Sequence, residues 1–195
     1  MNITVYCGAQ IGNDPEFRKR AAELGTWMAQ NGHRLVYGAG SVGMMGVISD
    51  AVLDAGGEVT GVTPDFFVYA EEISERIRDL RITPDLSERR RVMIEEGDAF
   101  IALPGGTGTL DEISEVMSLR RLGKLGTVKR PVMLYNINGY YDHLLQFFDR
   151  MAEEEFHTAD DRSAIHEVRS IDDIEKLLMT AGEHDHGRNQ LYDNQ

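Results

Sequence analysis

The sequence predicts an α/β protein built on an open, mostly parallel, doubly wound sheet with helices on both faces. Two observations carry this. Short apolar runs of strand length alternate with helical periods over the first three quarters of the chain, as in repeated strand–helix–strand units. Glycine-rich turns sit where a strand hands over to a helix, at residues 38–46 and 104–108. With 195 residues, the chain is long enough to bury one substantial core.

Residues 3–7 read as the first strand. Residues 15–31 follow the helical period, with Ala21, Leu24, Trp27 and Met28 on one face. Pro15 suits a first helical position, Asn13 or Asp14 a cap, and Gly32 a stop. Residues 34–37 make a second strand, and the glycine loop 38–46 opens a helix that runs to Ala55 before Gly56-Gly57. Residues 58–63 make a third strand, ended by Pro64. Residues 65–85 are irregular and charged, and read as a partly ordered loop over the site. Helices are then expected at 87–97, 111–122, 140–155 and 171–179. Strands are expected at 99–103 and 131–136, with a short strand or turn near 166–169. Five or six strands result, in one domain over residues 1–180. The tail, 181–195, is polar and too poor in apolar side chains to order itself.

Composition narrows the function. No apolar run approaches the roughly 18 residues of a membrane span, and the N-terminus lacks the basic region of a signal peptide. The single cysteine, Cys7, allows no internal disulfide and agrees with a reducing cytoplasm. A formal charge of −13 argues against nucleic acid as partner. An anionic small molecule requires local basic groups, which Arg89-Arg90-Arg91 or Arg120-Arg121 with Lys124 would supply. The six histidines show no metal-ligand spacing, no G-x-S-x-G elbow is present, and neither a metal nor a cofactor is expected.

The most informative segment is Pro104-Gly105-Gly106-Thr107-Gly108-Thr109-Leu110-Asp111-Glu112. A strand, a glycine turn and a helix start form an anion site, because backbone N–H groups crowd there with nothing in front of them. The segment lacks the Gly-Lys-Ser/Thr ending of a nucleotide-triphosphate loop. A carboxylate beside a phosphate site repels the ligand, so Glu112 suggests chemistry. Spacing alone explains it equally well as the closing residue of a capping box, Thr109-Leu110-Asp111-Glu112. Gly38-Ala39-Gly40-Ser41-Val42-Gly43 fits a dinucleotide fingerprint, but it follows the second strand, and no acid ends the third. A general phosphate or backbone-approach loop is the better reading. The arginines at 89–91 are either a solvated face paired with Glu88, Glu95 or Glu96, or a fork turned toward a phosphate or base.

Taken together, Cys7-Gly8, the 38–46 loop with Met44-Met45-Gly46, Glu88-Arg89-Arg90-Arg91-Val92-Met93, the 104–112 segment and Asn138-Gly139-Tyr140-Tyr141 resemble the LOG (LONELY GUY) family. Its members are phosphoribohydrolases, some long mislabelled as lysine decarboxylases. The resemblance implies a Rossmann-like homodimer that hydrolyses the N-glycosidic bond of a nucleoside 5′-monophosphate, a cytokinin riboside monophosphate or AMP. It matches the catalytic residues to Arg89 and Glu112. It assigns substrate contacts to Gly40, Ser41, Glu72, Arg90, Gly105, Gly106, Thr107, Gly108, Thr109, Glu115 and Ser118. The chain departs from the family pattern at Leu86-Ser87, Ala9 and Leu119-Arg120-Arg121, which leaves the choice of base open. The rival expectation is a non-catalytic carrier of a phosphorylated cofactor, of the molybdenum cofactor carrier type.

Overall fold

The computed structural model describes residues 1–68, 73–126 and 130–192, with side chains described through Ala181. The elements run β1 (Asn2–Tyr6), α1 (Pro15–Gln30), β2 (Arg34–Tyr37), α2 (Gly43–Asp54), β3 (Val59–Pro64), β4 (Asp79–Thr83), α3 (Leu86–Glu96), β5 (Ala99–Ala102), α4 (Thr107–Arg121), β6 (Val132–Tyr135), α5 (Asp142–Glu153), α6 (Ala159–Ser163), β7 (Ile165–Val168) and α7 (Ile171–Tyr192). The strands form one sheet in the order β4-β3-β2-β1-β5-β6-β7, with every neighbouring pair parallel.

β1 is the pivot. Its Thr4 sits opposite Val36 of β2 on one side and Phe100 of β5 on the other. From β1 the chain works outward through β2, β3 and β4, then returns to the far side of β1 to begin β5. The crossovers after β1 and β5 therefore diverge, and a crevice opens at the C-terminal ends of these two strands, where α/β sheets bind ligands.

Strand alternation builds two cores. Ile3, Val5, Leu35, Tyr37 and Ile101 pack against α1, α2 and α7. Tyr6, Val36, Val62, Phe100 and Ala102 pack on the opposite face against α3, α4 and α5. α1 begins where the sequence predicts, with Pro15 at its start and the Asp14 carboxylate accepting from the Glu16 N–H at 2.9 Å.

The sheet has seven strands rather than five or six, because β4 lies inside the stretch read as an irregular loop. β4 is an edge strand, Asp-Leu-Arg-Ile-Thr, paired on one side only, with Ile82 exposed and Arg81 bound to Glu96. Charges on an edge strand guard against further pairing and also hide the strand period. A second correction concerns α4. It begins at Thr107, capped by Gly106, four residues before the predicted start. Thr109 therefore lies within the first turn, and the Thr109–Glu112 capping box does not form. The short α6, which opens with a Thr158–Asp161 capping box, was not anticipated. α7 continues past Met179, where the apolar period of the sequence ends.

Candidate active site

Three loops meet at the crevice between β1 and β5. The Gly8 N–H donates to the Pro104 carbonyl at 3.2 Å, which stitches the end of β1 to the 104–106 turn. The Gly8 carbonyl accepts from the Met44 N–H at 3.1 Å, which docks the start of α2 beside it. That approach needs glycine at position 43: its φ is +63°, and a Cβ there would stand 2.0 Å from the Ala9 carbonyl oxygen. The loops enclose a cavity of ≈ 610 Å³ whose lining includes Gly8, Gly38, Arg89, Gly105–Thr109, Glu112 and Tyr140. Phe17, Phe67, Leu86 and Met93 make its apolar parts.

Arg89 and Glu112 meet at this cavity from different helices. The Arg89 Nη1 donates to Glu112 Oε1 at 2.8 Å, and its Nε to the Val62 carbonyl at 3.0 Å. The side chains are only 13% and 11% exposed, so solvent screens the pair weakly. Burial raises the Glu112 pKa above the ordinary carboxylate value, and Asp111 pushes the same way. Arg89 and Arg90 oppose the rise without cancelling it. A buried carboxylate with raised proton affinity, held by one arginine in a cavity wall, suits proton transfer.

The start of α4, the helix that carries Glu112, lines the same cavity. Its hydrogen-bond ladder opens with the Leu110 N–H donating to the Gly106 carbonyl at 3.1 Å. The N–H groups of Thr107, Gly108 and Thr109 precede that ladder, where a helix binds anions. A Cβ built at Gly106 or at Gly108 meets nothing within 4 Å, and neither residue has a positive φ. Neither packing nor a positive φ calls for glycine there, and both residues line the crevice with open space before them. The turn itself is held by the Tyr140 hydroxyl, which donates to the Gly105 carbonyl at 2.5 Å, and by Tyr141, which donates to the Leu103 carbonyl at 2.7 Å.

Other expected residues fall elsewhere. Arg90 leaves the cavity to pair with Glu115 at 2.6 Å and with Asp111 at 3.2 Å. Ser118 lines a separate cavity beneath α5 and α6. Gly40 and Ser41 are absent from the lining of the crevice, to which their loop contributes Gly38 and Met45. Glu72 lies outside the described residues. Arg91 pairs with Glu88 and Glu95, as the solvated-face reading expects, while Arg89 two residues earlier turns inward. Arg120 donates to the Arg130 carbonyl and Arg121 pairs with Asp161, so that basic cluster lies away from the crevice. Gly38, Tyr140 and Tyr6 were not anticipated as lining residues. Tyr6 contributes a buried hydroxyl with no hydrogen-bond partner among the described residues, and burial, then Glu112 and Glu115, raises its pKa well above the usual phenol value while Arg89 opposes.

The sequence matches the family described as "Possible lysine decarboxylase" over residues 45–179. Cytokinin riboside 5′-monophosphate phosphoribohydrolase LOG1 of Arabidopsis thaliana is 40% identical over 176 residues, which covers 90% of this chain and 81% of that protein. The probable phosphoribohydrolase LOGL1 of Oryza sativa subsp. japonica is 43% identical over 163 residues, covering 84% of this chain and 72% of that one. Among solved structures, a molybdenum cofactor carrier protein of Chlamydomonas reinhardtii superposes with a TM-score of 0.70 at 22% identity, over 92% of this chain and 97% of that chain. The molybdenum cofactor binding protein of Rippkaea orientalis does so with a TM-score of 0.69 at 23% identity, over 92% and 95%. At that identity the likeness is one of fold.

Proposed function

The chain belongs to the LOG-type family of phosphoribohydrolases, described also as possible lysine decarboxylase, and we propose that it hydrolyses the N-glycosidic bond of a nucleoside 5′-monophosphate to free base and ribose 5-phosphate. The observation that carries the reading is the buried Arg89–Glu112 pair, which faces the same cavity as an open helix N-terminus. Lysine decarboxylation calls for a Schiff-base lysine, and among the described residues no lysine lines this cavity.

In this reading the 5′-phosphate lies against the N–H groups of Thr107, Gly108 and Thr109, with the threonine hydroxyls beside them. That puts the ribose toward Glu112. Positive charge grows on the sugar as the C1′–N bond weakens, and the Glu112 carboxylate stabilises it. Water adds its oxygen to C1′ and gives a proton to Glu112, whose burial has raised its affinity for one. The bonding pair leaves with the base, which takes up a proton, in net terms the one that water gave to Glu112. Arg89 keeps the carboxylate ionised and aimed, and its fixed charge stabilises the electron pair on the leaving base. Arg90 and Glu115 brace the two helices behind the pair. In this reading Gly40, Ser41, Glu72 and Ser118 are outer contacts only.

The carrier alternative rests on proteins 22–23% identical to this chain, against 40–43% for the phosphoribohydrolases, and the hydrolase is the better supported. Incubation with AMP, CMP, GMP and isopentenyladenosine monophosphate, followed by chromatography of free base, tests it. Nucleotide bound with no base released from any of the four would overturn the hydrolase in favour of the carrier.

A homodimer and a cytoplasmic location are part of the proposal. Leu122 and Phe147 are exposed apolar side chains at the end of α4 and on α5, where a second copy would cover them. Light scattering across a dilution series tests the dimer, and a monomer mass throughout would exclude it. No helix among the described residues is long and apolar enough to cross a membrane.

A further inference from the structure

We infer that Gly38 is a positioning residue for Arg89: the absent side chain after β2 is the socket that lets the guanidinium reach from α3 to Glu112. What the arginine does there rests on the phosphoribohydrolase reading, whereas the socket is geometry alone. A Cβ at position 38 would stand 2.1 Å from Arg89 Nη2, which is overlap, and 3.3 Å from Cζ, a tight contact. The other of its three nearest atoms is the Met45 Sδ at 3.1 Å, near the end of a flexible side chain that can yield. Gly38 has no positive φ, so its conformation does not demand glycine.

The guanidinium cannot give way without leaving its post. One edge is fixed by the Nε bond to the Val62 carbonyl at 3.0 Å, and another by the Nη1 bond to Glu112 at 2.8 Å. Nη2 lies on the remaining side, against Gly38. A methyl group at 38 therefore acts on the arginine, and through it on the carboxylate. Read as a motif, this glycine belongs to a phosphate or backbone-approach loop. In three dimensions it serves a side chain 51 residues later in the chain (89 − 38).

The test is a double-mutant cycle of Gly38→Ala and Arg89→Ala, read in turnover, melting temperature and Glu112 titration by carboxyl-carbon NMR. Gly38→Ala is expected to lower base release from AMP about 10²-fold, the size of an ångström-scale misplacement in an active site. In the Arg89→Ala background it should cost nothing further in turnover or melting temperature. Glu112 is faced by Arg89 and Arg90 from α3, by Asp111 on its own helix, and by Tyr6 and Cys7 from the end of β1. Of these, the substitution moves only Arg89, so the Glu112 midpoint should rise toward its value in Arg89→Ala. Wild-type turnover in Gly38→Ala, additive losses in the cycle, or an unmoved Glu112 midpoint would each overturn the socket. If Gly38→Ala does not fold, the double variant decides: folding supports the socket and failure to fold overturns it. If the wild-type protein releases no base, the hydrolase reading falls, while the Glu112 titration still tests the socket.

Discussion

Replacing Arg89 by methionine keeps the apolar stem and removes the guanidinium, which isolates what the charge does for Glu112. At 2.8 Å the two charges attract by about 6 kcal/mol at an effective dielectric of 20, and the desolvation of both groups cancels most of that. The net loss is set by the carboxylate left behind. A buried charge stripped of its partner costs about 3–5 kcal/mol, and with about a tenth of each side chain still exposed the lower end applies, about 3 kcal/mol. That figure holds only while Glu112 is ionised. Its native pKa already lies above the ordinary 4.5, because burial outweighs the arginines, and loss of Arg89 raises it further. The folded state then binds more protons than the unfolded state over a wider window above 4.5, and stability falls as pH rises through that window. Near pH 4 the carboxyl is mostly protonated in both states, and chiefly ordinary hydrogen bonds are lost, about 1 kcal/mol. Urea unfolding of both proteins at pH 4 and pH 8, with equal m-values, measures the two deficits. A deficit equal at both pH values, or larger at pH 4, would refute a buried ionised Glu112 that depends on Arg89.

Glu112→Gln keeps the shape of the side chain and should lower base release by about 10²–10⁴, with AMP affinity by calorimetry changed no more than a few-fold; near-normal turnover would remove Glu112 from the chemistry. Gly108→Ala should separate stability from binding. The new methyl group meets no protein atom and favours the helix, so the melting temperature rises by about 2–4 °C, while the KM for AMP increases at least about tenfold as the methyl takes the phosphate's space. An unchanged KM would place the phosphate elsewhere. Tyr6→Phe deletes a buried hydroxyl without a partner and should stabilise the protein by about 1 kcal/mol in thermal unfolding; destabilisation would mean that the hydroxyl is bonded in solution.

Much of this architecture is legible in one dimension. Buried parallel strands such as Phe100-Ile101-Ala102 and Val132-Met133-Leu134-Tyr135 are continuous apolar runs, because both their faces are covered. β4 was not legible, since an edge strand half exposed to water needs no such run and carries Asp79 and Arg81 instead. The start of α4 was misplaced for a related reason. Thr109-Leu110-Asp111-Glu112 satisfies the capping pattern locally, yet the tertiary position of the turn, held by Tyr140 at Gly105, starts the helix at Thr107.

That shift decides how Glu112 is read. Residue types and spacing in the sequence determined the α/β alternation, the glycine turn before α4, and the presence near it of a carboxylate and an upstream run of arginines. Spacing alone could not tell a cap from a reacting group, because a capping box is defined within four residues while the partner of Glu112 lies 23 residues away (112 − 89). Nor could it tell which of three consecutive arginines turns inward. Helix geometry sets Arg91 toward Glu88 and Glu95, and Arg89 toward the crevice. Only the packing of α3 against the end of β2, with no side chain at Gly38 to obstruct it, brings Arg89 onto Glu112.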